Sequence, residues 1–223
     1  NPSFTGSIAN FRLFNRALTS DEIYQLYAYQ KEYFGHGVLG MTLKAGRLGI
    51  GTSEPRAALD VRGGFYAPGT IVQVESSLKT DTSSTTSITE VDIARLSVNI
   101  HPKFGTSKIL VSYTVNVGTA NGHGFLRVKR TQGGTSTYIG DGDADSLRQR
   151  CTSYIFGNNG SFCESYSFEH LDDANGKEPI TYQIQLMTES TTYTLSINAS
   201  GADSDSAYFG RTSSSITAKE VCQ

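Results

Sequence analysis

The sequence predicts a mainly β protein: an antiparallel jelly-roll sandwich as the C-terminal head, a short intertwined trimeric neck before it, and one α-helix before the neck. About ten runs of alternating apolar and polar residues follow Thr70, separated by Gly, Asn, Asp and Ser, which is typical of a single β-sandwich. Three shorter apolar segments bounded by glycines lie between Val38 and Gly64. A helical period runs from about Ser20 to Phe34.

Composition and charge exclude two classes of partner. The chain of 223 residues is 37% hydrophobic and 18% charged, with a net charge of -2, and its Lys and Arg residues are scattered without a basic run. We therefore expect no nucleic-acid partner, because phosphate backbones attract clustered cations. No apolar run approaches the roughly 20 residues that span a bilayer, so we expect no membrane partner either.

The three cysteines, Cys151, Cys163 and Cys222, lack both the spacing of a zinc site and the density of a disulfide scaffold. Two interpretations are open: the thiols are small apolar fillers, or Cys151 and Cys163 form a bridge across a hairpin. Sequence spacing does not decide between them.

The helix has a start signal in the letters TSDE. Thr19 can accept a hydrogen bond from the backbone N–H three residues on, while Glu22 reaches back to the N–H of Thr19, which is a capping box. We predict a helix from about Ser20 to Phe34, closed by the glycines at positions 35 and 37.

The N-terminal segment carries a second pattern. Gly6 to Leu18 spell GSIANFRLFNRAL, and Thr19 to Tyr27 spell TSDEIYQLY. Together they resemble the last strand and following helix of concanavalin-A-like (laminin-G-like) carbohydrate-binding jelly rolls. The resemblance implies that residues 1–36 are the C-terminal remnant of a lectin-like domain. One strand and one helix do not bury a sandwich core, so we expect the rest of that domain upstream.

The three short segments predict a neck over residues 37–69. Each segment is too short to build a sheet alone, and we expect strands of two or three residues to gain stability only if identical copies pair around an axis, not from partners within one chain. Glycines at crowded positions let three chains approach one another. We therefore expect the chain to be its own partner, as a homotrimer.

Within the neck, Leu48 to Gly63 spell LGIGTSEPRAALDVRG. This segment resembles the LGIGTxxPxxxLDVxG motif of bacteriophage tail fibres and of fibre-like virion proteins of large algal (chlorella) viruses. The resemblance implies a location on the virion surface or outside the cell. It also implies that the neck precedes a receptor-binding head or a self-cleaving chaperone, and no Ser-Lys cleavage arrangement is evident at the chain end.

Residues 70–223 are therefore expected to form the head. The order of their β runs is similar to that of trimeric phage and algal-virus fibre heads of tumour-necrosis-factor-like (TNF-like) shape. In that resemblance ITYQIQ is a central strand and SSITAKEV is the closing strand.

One acidic loop is a candidate cation site. Asp141, Asp143 and Asp145 have the alternate spacing of a calcium loop, but Ser146 stands where an EF-hand has Gly and Thr152 where it has a bidentate Glu. Two interpretations are open: a loose divalent-cation site, or a solvated acidic turn. We expect no other cofactor.

The densest group of titratable residues is FCESYSFEHLDD. If this run is a strand, Glu164, Tyr166 and Phe168 face one way and Glu169 faces the other, with the residues from His170 onward at the loop end. Carboxylates and a histidine beside a groove can act as general acid and base on a polysaccharide, by hydrolysis or by β-elimination. The candidate catalytic residues are Glu164, Glu169, His170 and Asp172. The competing interpretation is a hairpin whose charged side chains point into water.

Tyrosines beside polar turns are candidates for sugar binding, because the ring stacks on a pyranose face while polar neighbours bond the hydroxyls. The candidate substrate-binding residues are Tyr138, Tyr154, Arg148 and Tyr208. The competing interpretation is that these tyrosines close strand ends and trimer contacts.

Two functions remain. The first is a virion-associated homotrimeric fibre or spike head that engages host cell-surface or cell-wall polysaccharide during attachment, where three weak sites on one axis gain avidity. The alternative is a virion-associated polysaccharide-degrading enzyme, a glycosidase or lyase, that digests the host cell wall.

Overall fold

The computed structural model describes residues 12–34, 40–63, 67–157 and 160–223. Their contacts divide the chain into two compact units, Asn1–Phe65 and Tyr66–Gln223. In chain order the elements are α1 (Ser20–Phe34), β1 (Met41–Lys44), β2 (Arg47–Ile50), β3 (Leu59–Val61), β4 (Ile71–Lys79), β5 (Ser83–Thr85), β6 (Val91–Ile100), β7 (Lys108–Gly118), β8 (Gly122–Gln132), β9 (Thr135–Ile139), β10 (Ser153–Gly157), β11 (Glu164–Asp173), β12 (Ile180–Thr188), β13 (Leu195–Ile197) and β14 (Ser214–Val221).

Helix α1 begins and ends where the sequence predicts, and its capping box is confirmed. The backbone N–H of Glu22 donates to Thr19 Oγ1 at 3.3 Å, and the N–H of Thr19 donates to Glu22 Oε2 at 2.9 Å. Arg16 donates to both carboxylate oxygens of Glu22, at 2.6 and 2.9 Å. The strand expected before the helix falls largely, and the closing glycines wholly, outside the described residues. Within the described part of the chain, no helix is long and apolar enough to cross a membrane.

The neck segments form a three-stranded sheet in the order β1-β2-β3. β1 and β2 make an antiparallel hairpin, and β3 pairs with β2 in parallel. The expectation that segments this short find no partner within one chain is therefore wrong. The loop between β2 and β3 folds back and brings β3 alongside, so the three segments satisfy one another.

The glycines of the motif make this fold-back possible. A Cβ atom on Gly49 would lie 2.7 Å from the carbonyl oxygen of Thr52, and one on Gly51 would lie 2.5 Å from that of Arg62. Gly51 also has a φ of +71°, which L side chains rarely adopt. Asp60 accepts hydrogen bonds from the backbone N–H of Arg56 at 3.0 Å and from Arg62 Nε at 2.8 Å. These hydrogen bonds lower the pKa of Asp60 to about 2, and the hydrogen bond from the Arg62 side chain contributes most.

The head is a β-sandwich of two antiparallel sheets. One sheet has the order β10-β8-β12-β6, with β9 paired to β8, and the other has the order β4-β14-β7-β13-β5, with β11 paired to β7. Alternate residues of the long strands are buried between the sheets, as in β7, β8 and β14. The predicted fold class, mainly β with a jelly-roll-like sandwich, is confirmed. β12 lies inside the five-stranded sheet between β8 and β6, and β14, the last of the described strands, lies between β4 and β7.

All three cysteines are free thiols, so the bridge between Cys151 and Cys163 is not formed. Cys222 is buried, in line with the filler interpretation, and the other two are partly buried. Burial raises the pKa of both Cys151 and Cys163.

Candidate functional site

The neck sheet has one entirely apolar face. Leu43 is opposite Leu48, which is opposite Leu59, and cross-strand partners point to the same side of a sheet. Met41 and Leu43 are 68% and 79% exposed. Because alternate residues share a side, the apolar set comprises six residues, called the neck face below. The neck face consists of Met41, Leu43, Leu48, Ile50, Leu59 and Val61.

The head exposes a smaller apolar patch on the outer face of its six-stranded sheet. On β4, Ile71, Val74 and Leu78 are each more than half exposed. Leu171 of β11 is about half exposed and lies on the same outer face. Between these two edges the paired outer residues of β7 and β14 are half hydroxyl side chains and half Lys, Leu or Val. The face is therefore partly apolar.

A cleft of about 680 Å³ opens on the outer face of the five-stranded sheet. Its base consists of Phe125 of β8, Tyr154 of β10 and Met187 of β12, which are cross-strand neighbours. Its sides include Ile88, Leu147, Arg148, Gln149, Cys151 and Glu189.

An aromatic surface continues from the base of the cleft. The ring of His123 stacks between those of Tyr154 and Phe156, with centroids 5.3 and 5.2 Å away. Tyr154 Oη lies 2.5 Å from His123 Nδ1. Glu189 accepts a hydrogen bond from the backbone N–H of His123 at 3.2 Å, and its Oε1 lies 3.8 Å from His123 Nε2. The backbone of His123 therefore holds the Glu189 carboxylate at the edge of the cleft.

The wall of the cleft formed by residues 147–151 is positioned through Arg127. Its guanidinium lies 3.4 Å above the ring centroid of Tyr138, donates to Glu90 at 2.6 Å, and forms an ion pair with Asp141. The side chain of Asp141 is only 2% exposed. Buried charges are stable when they are paired in this way, so the start of the loop between β9 and β10 is anchored to β8.

The candidate cation ligands do not converge. Asp141 forms an ion pair with Arg127, and Asp145 forms one with Arg148 at 2.5 Å. Among the residues that the structure describes, no group of three or more His, Cys, Asp or Glu side chains is placed to hold a metal ion.

The structure separates the four candidate substrate-binding residues. Tyr154 and Arg148 line the cleft. Tyr138 lies on the same outer face beneath Arg127, and its hydroxyl donates to Gln185 at 2.9 Å. Tyr208 is 93% exposed and does not line the cleft.

The four candidate catalytic residues do not form one group. The prediction that His170 and Asp172 lie at a loop end is wrong, because β11 continues to Asp173. Tyr166 and Phe168 pack against the core, so Glu164, His170 and Asp172 share their side while Glu169 points to the outer face. Glu164 and Asp172 are eight residue steps apart along β11, a span of about 27 Å, whereas the paired carboxyl groups of glycosidases lie about 5–9.5 Å apart.

Asp172 instead connects the two sheets of the head. Its Oδ2 accepts hydrogen bonds from Arg130 Nε on β8 and from Tyr182 Oη on β12, both at 2.6 Å. Burial raises the pKa of Tyr182, and its bond to the Asp172 carboxylate raises it further. Asp172 belongs to β11 of the opposite sheet, so this cluster closes one end of the sandwich.

Sequence reasoning missed His123, Phe125, Phe156 and Glu189. A signal for the aromatic residues was present in the sequence. HGFLR and SYIFG each carry two ring side chains that are two residues apart, and such residues lie on the same side of a strand. Alternation puts one set of residues in the core and the other outside, so aromatic rings in the outer set indicate a surface that binds something. Glu189 follows β12, and nothing in its local sequence indicates that it meets His123.

Comparison with known proteins adds little to this geometry. No family model and no curated protein matches the chain. Among solved structures, it is similar to a chain in the structure of the infectious bursal disease virus Gx strain, with 12% sequence identity and a TM-score of 0.31. The similarity covers 67% of this chain and 38% of that chain, so this chain spans less than half of the length of the protein it matches.

Proposed function

We propose that this chain is a homotrimeric, fibre-type attachment head of a virion, in which the neck holds three copies together and the heads engage polysaccharide of the host cell surface or wall. The observation that carries the proposal is the neck face. Within the described residues of a single chain nothing covers its six apolar side chains, and four of them are at least 40% exposed. Such a face favours association over exposure to water.

The energy available from the neck face is comparable with the cost of association. Burying one fully exposed Leu, Ile or Met side chain contributes about 1.5–3 kcal/mol. The four most exposed members start 40–79% exposed, so they contribute about 4–7 kcal/mol per copy. Each association step costs about 4–15 kcal/mol in lost freedom, and a trimer needs two such steps, which three faces together offset in large part. The apolar patch on β4 and β11 supports further contact between heads. The number three and the virion location rest on the resemblance of Leu48–Gly63 to fibre necks.

The placement of the cleft supports a role in attachment. The cleft lies on the five-stranded sheet and the exposed aliphatic patch on the six-stranded sheet, so heads that meet through the patch leave their clefts open. Three weak sites on one rigid axis bind a repetitive polymer with an avidity that no single site needs to supply.

Light scattering after size exclusion tests the assembly. We expect a mass of about 72 kDa for the parent, three times the chain mass of 24.1 kDa. Leu43→Glu brings like charges together in the buried face and is expected to dissociate the assembly. Lys44→Glu places the same side chain on the other face of β1 and leaves the mass unchanged. A monomeric parent at micromolar concentration contradicts the proposal.

Incubation with isolated algal cell walls tests the attachment. We expect the parent to sediment with the walls and to release no soluble sugar. Release of reducing or unsaturated sugar ends would favour a degrading enzyme in place of an attachment head.

A further inference from the structure

We infer that the cleft on the five-stranded sheet binds an uncharged saccharide and discriminates against acidic ones. The inference rests on the proposed function, since it names the class of glycan that the head engages. It follows from the shape, the apolar base and the pairing of charges in the cleft.

The size and base of the cleft suit a sugar ring. A volume of about 680 Å³ lies within the range of small-molecule sites. The side chain of Tyr154 is 51% exposed and lies beside Phe125 and Met187, so the base presents a flat apolar surface. The C–H face of a pyranose is also flat and apolar, and aromatic rings are the side chains that pack on such faces with least loss of conformational freedom.

The charged groups of the cleft are already paired with protein groups. Arg148 is bonded to Asp145 at 2.5 Å, and Glu189 is bonded to the backbone N–H of His123. Arg127, on the same face of the sheet, is paired with both Glu90 and Asp141. A sugar carboxylate or sulfate would have to displace one of these partners or remain without a counter-charge.

An anionic ligand therefore loses more than it gains here. It brings negative charge towards Glu189, which is bonded to a backbone N–H and not to a cation, while the positive charge of Arg148 is already balanced by Asp145. The hydroxyl groups of a neutral sugar need only polar partners, and the side chains of Gln149 and Arg148 line the cleft beside its apolar base. Charge complementarity thus selects an uncharged occupant.

Affinity electrophoresis of the full chain in native gels tests the inference. The probes are four uncharged polymers, β-glucan, mannan, galactan and xylan, and two acidic ones, polygalacturonate and alginate. We expect at least one uncharged polymer to retard the parent and neither acidic polymer to do so at 150 mM salt. The apparent dissociation constant for Tyr154→Ala is expected to rise at least about tenfold, because the variant loses both the stacking contact of the ring and the apolar area that the ring buries.

Tyr208→Ala is the matched control, because it removes the same side chain from a fully exposed position outside the cleft. Leu147→Glu changes a 96% exposed side chain of the cleft wall and is expected to weaken binding without affecting the fold. Retardation by an acidic polymer, by none of the uncharged polymers, or equally in the parent and Tyr154→Ala overturns the inference. Light scattering on the same samples reports the trimer, so a failed cleft with an intact trimer leaves the neck assembly standing.

Discussion

Removing the carboxylate of Asp172 tests whether this residue supports the fold or performs chemistry. The side chains of Asp172 and Arg130 are 13% and 11% exposed, so the pair is nearly buried. Deleting one partner of a buried pair costs about 3–5 kcal/mol, because the remaining charge loses its counter-charge. Arg130 keeps hydrogen bonds to Gln132 Oε1 and to the carbonyl oxygen of Asp173. The residual exposure places Asp172→Ala near the lower limit, and the Tyr182 hydroxyl also loses its acceptor. We expect a loss of about 3 kcal/mol in the free energy of unfolding.

Chemical denaturation at one fixed protomer concentration measures this loss, since assembly makes stability depend on concentration. Tyr182→Phe removes only the hydroxyl and should cost about 1 kcal/mol. Glu169→Ala, three residues away but on the outer face, should stay within about 0.5 kcal/mol of the parent. If Asp172→Ala is as stable as Glu169→Ala, the assignment of Asp172 as a connection between the sheets is wrong.

Three further changes probe the neck and the core. Gly51→Ala forces a Cβ to 2.5 Å from Arg62 O at a positive φ, so the melting temperature of the neck should fall by several degrees in thermal unfolding. Glu220→Gln should lower the free energy of unfolding by about 1.5–3 kcal/mol in chemical denaturation, because the buried carboxylate accepts N–H bonds from Lys103 and Phe104. The pKa of Asp60, about 2 instead of 3.8, implies that its stabilisation of the neck is complete above about pH 4 and is lost towards pH 2, and Asp60→Asn should abolish this pH dependence in acid titrations followed by circular dichroism.

Glu220 also illustrates how tertiary contacts set the charge of a buried group. Burial is the largest single influence and would raise its pKa, but the hydrogen bonds from Lys103, Phe104, Ser107 and Gln73 together outweigh burial, and the pKa lies below its ordinary value. Its sequence context, SSITAKEV, shows only an alternating strand. The loop that supplies the backbone donors lies more than a hundred residues earlier in the chain.

Local signals in the sequence were sufficient for the helix and most strands. Thr19 and Glu22 are three residues apart and satisfy each other's backbone groups, so the start of α1 does not depend on the rest of the chain. Period-two alternation identified β7, β12 and β14, because each strand buries one side and exposes the other. The end of β11 was missed because Asp172 is held inside by Arg130 and Tyr182, and single-sequence patterns assign a carboxylate to the outside.

The neck motif was also only partly predictable from the sequence. Gly49, Gly51 and Asp60 could be recognised as turn and bonding residues, but the partner that each one meets lies in another strand or loop. The intrachain pairing of β2 with β3 was not predicted, because a parallel pair depends on the path of the loop between the strands.

The sequence by itself determined the periodicity of the chain, and with it the mainly β class, the helix with its cap, and a head built from alternating strands. The tertiary structure alone decided which side chains come together: the six of the neck face, the aromatic base of the cleft, and the separation of Glu164 from Asp172. The physical reason is the distance along the chain between the residues that interact. Caps and alternation are satisfied within a few residues, whereas a face, a cleft or an ion pair requires strands far apart in the chain to take one register.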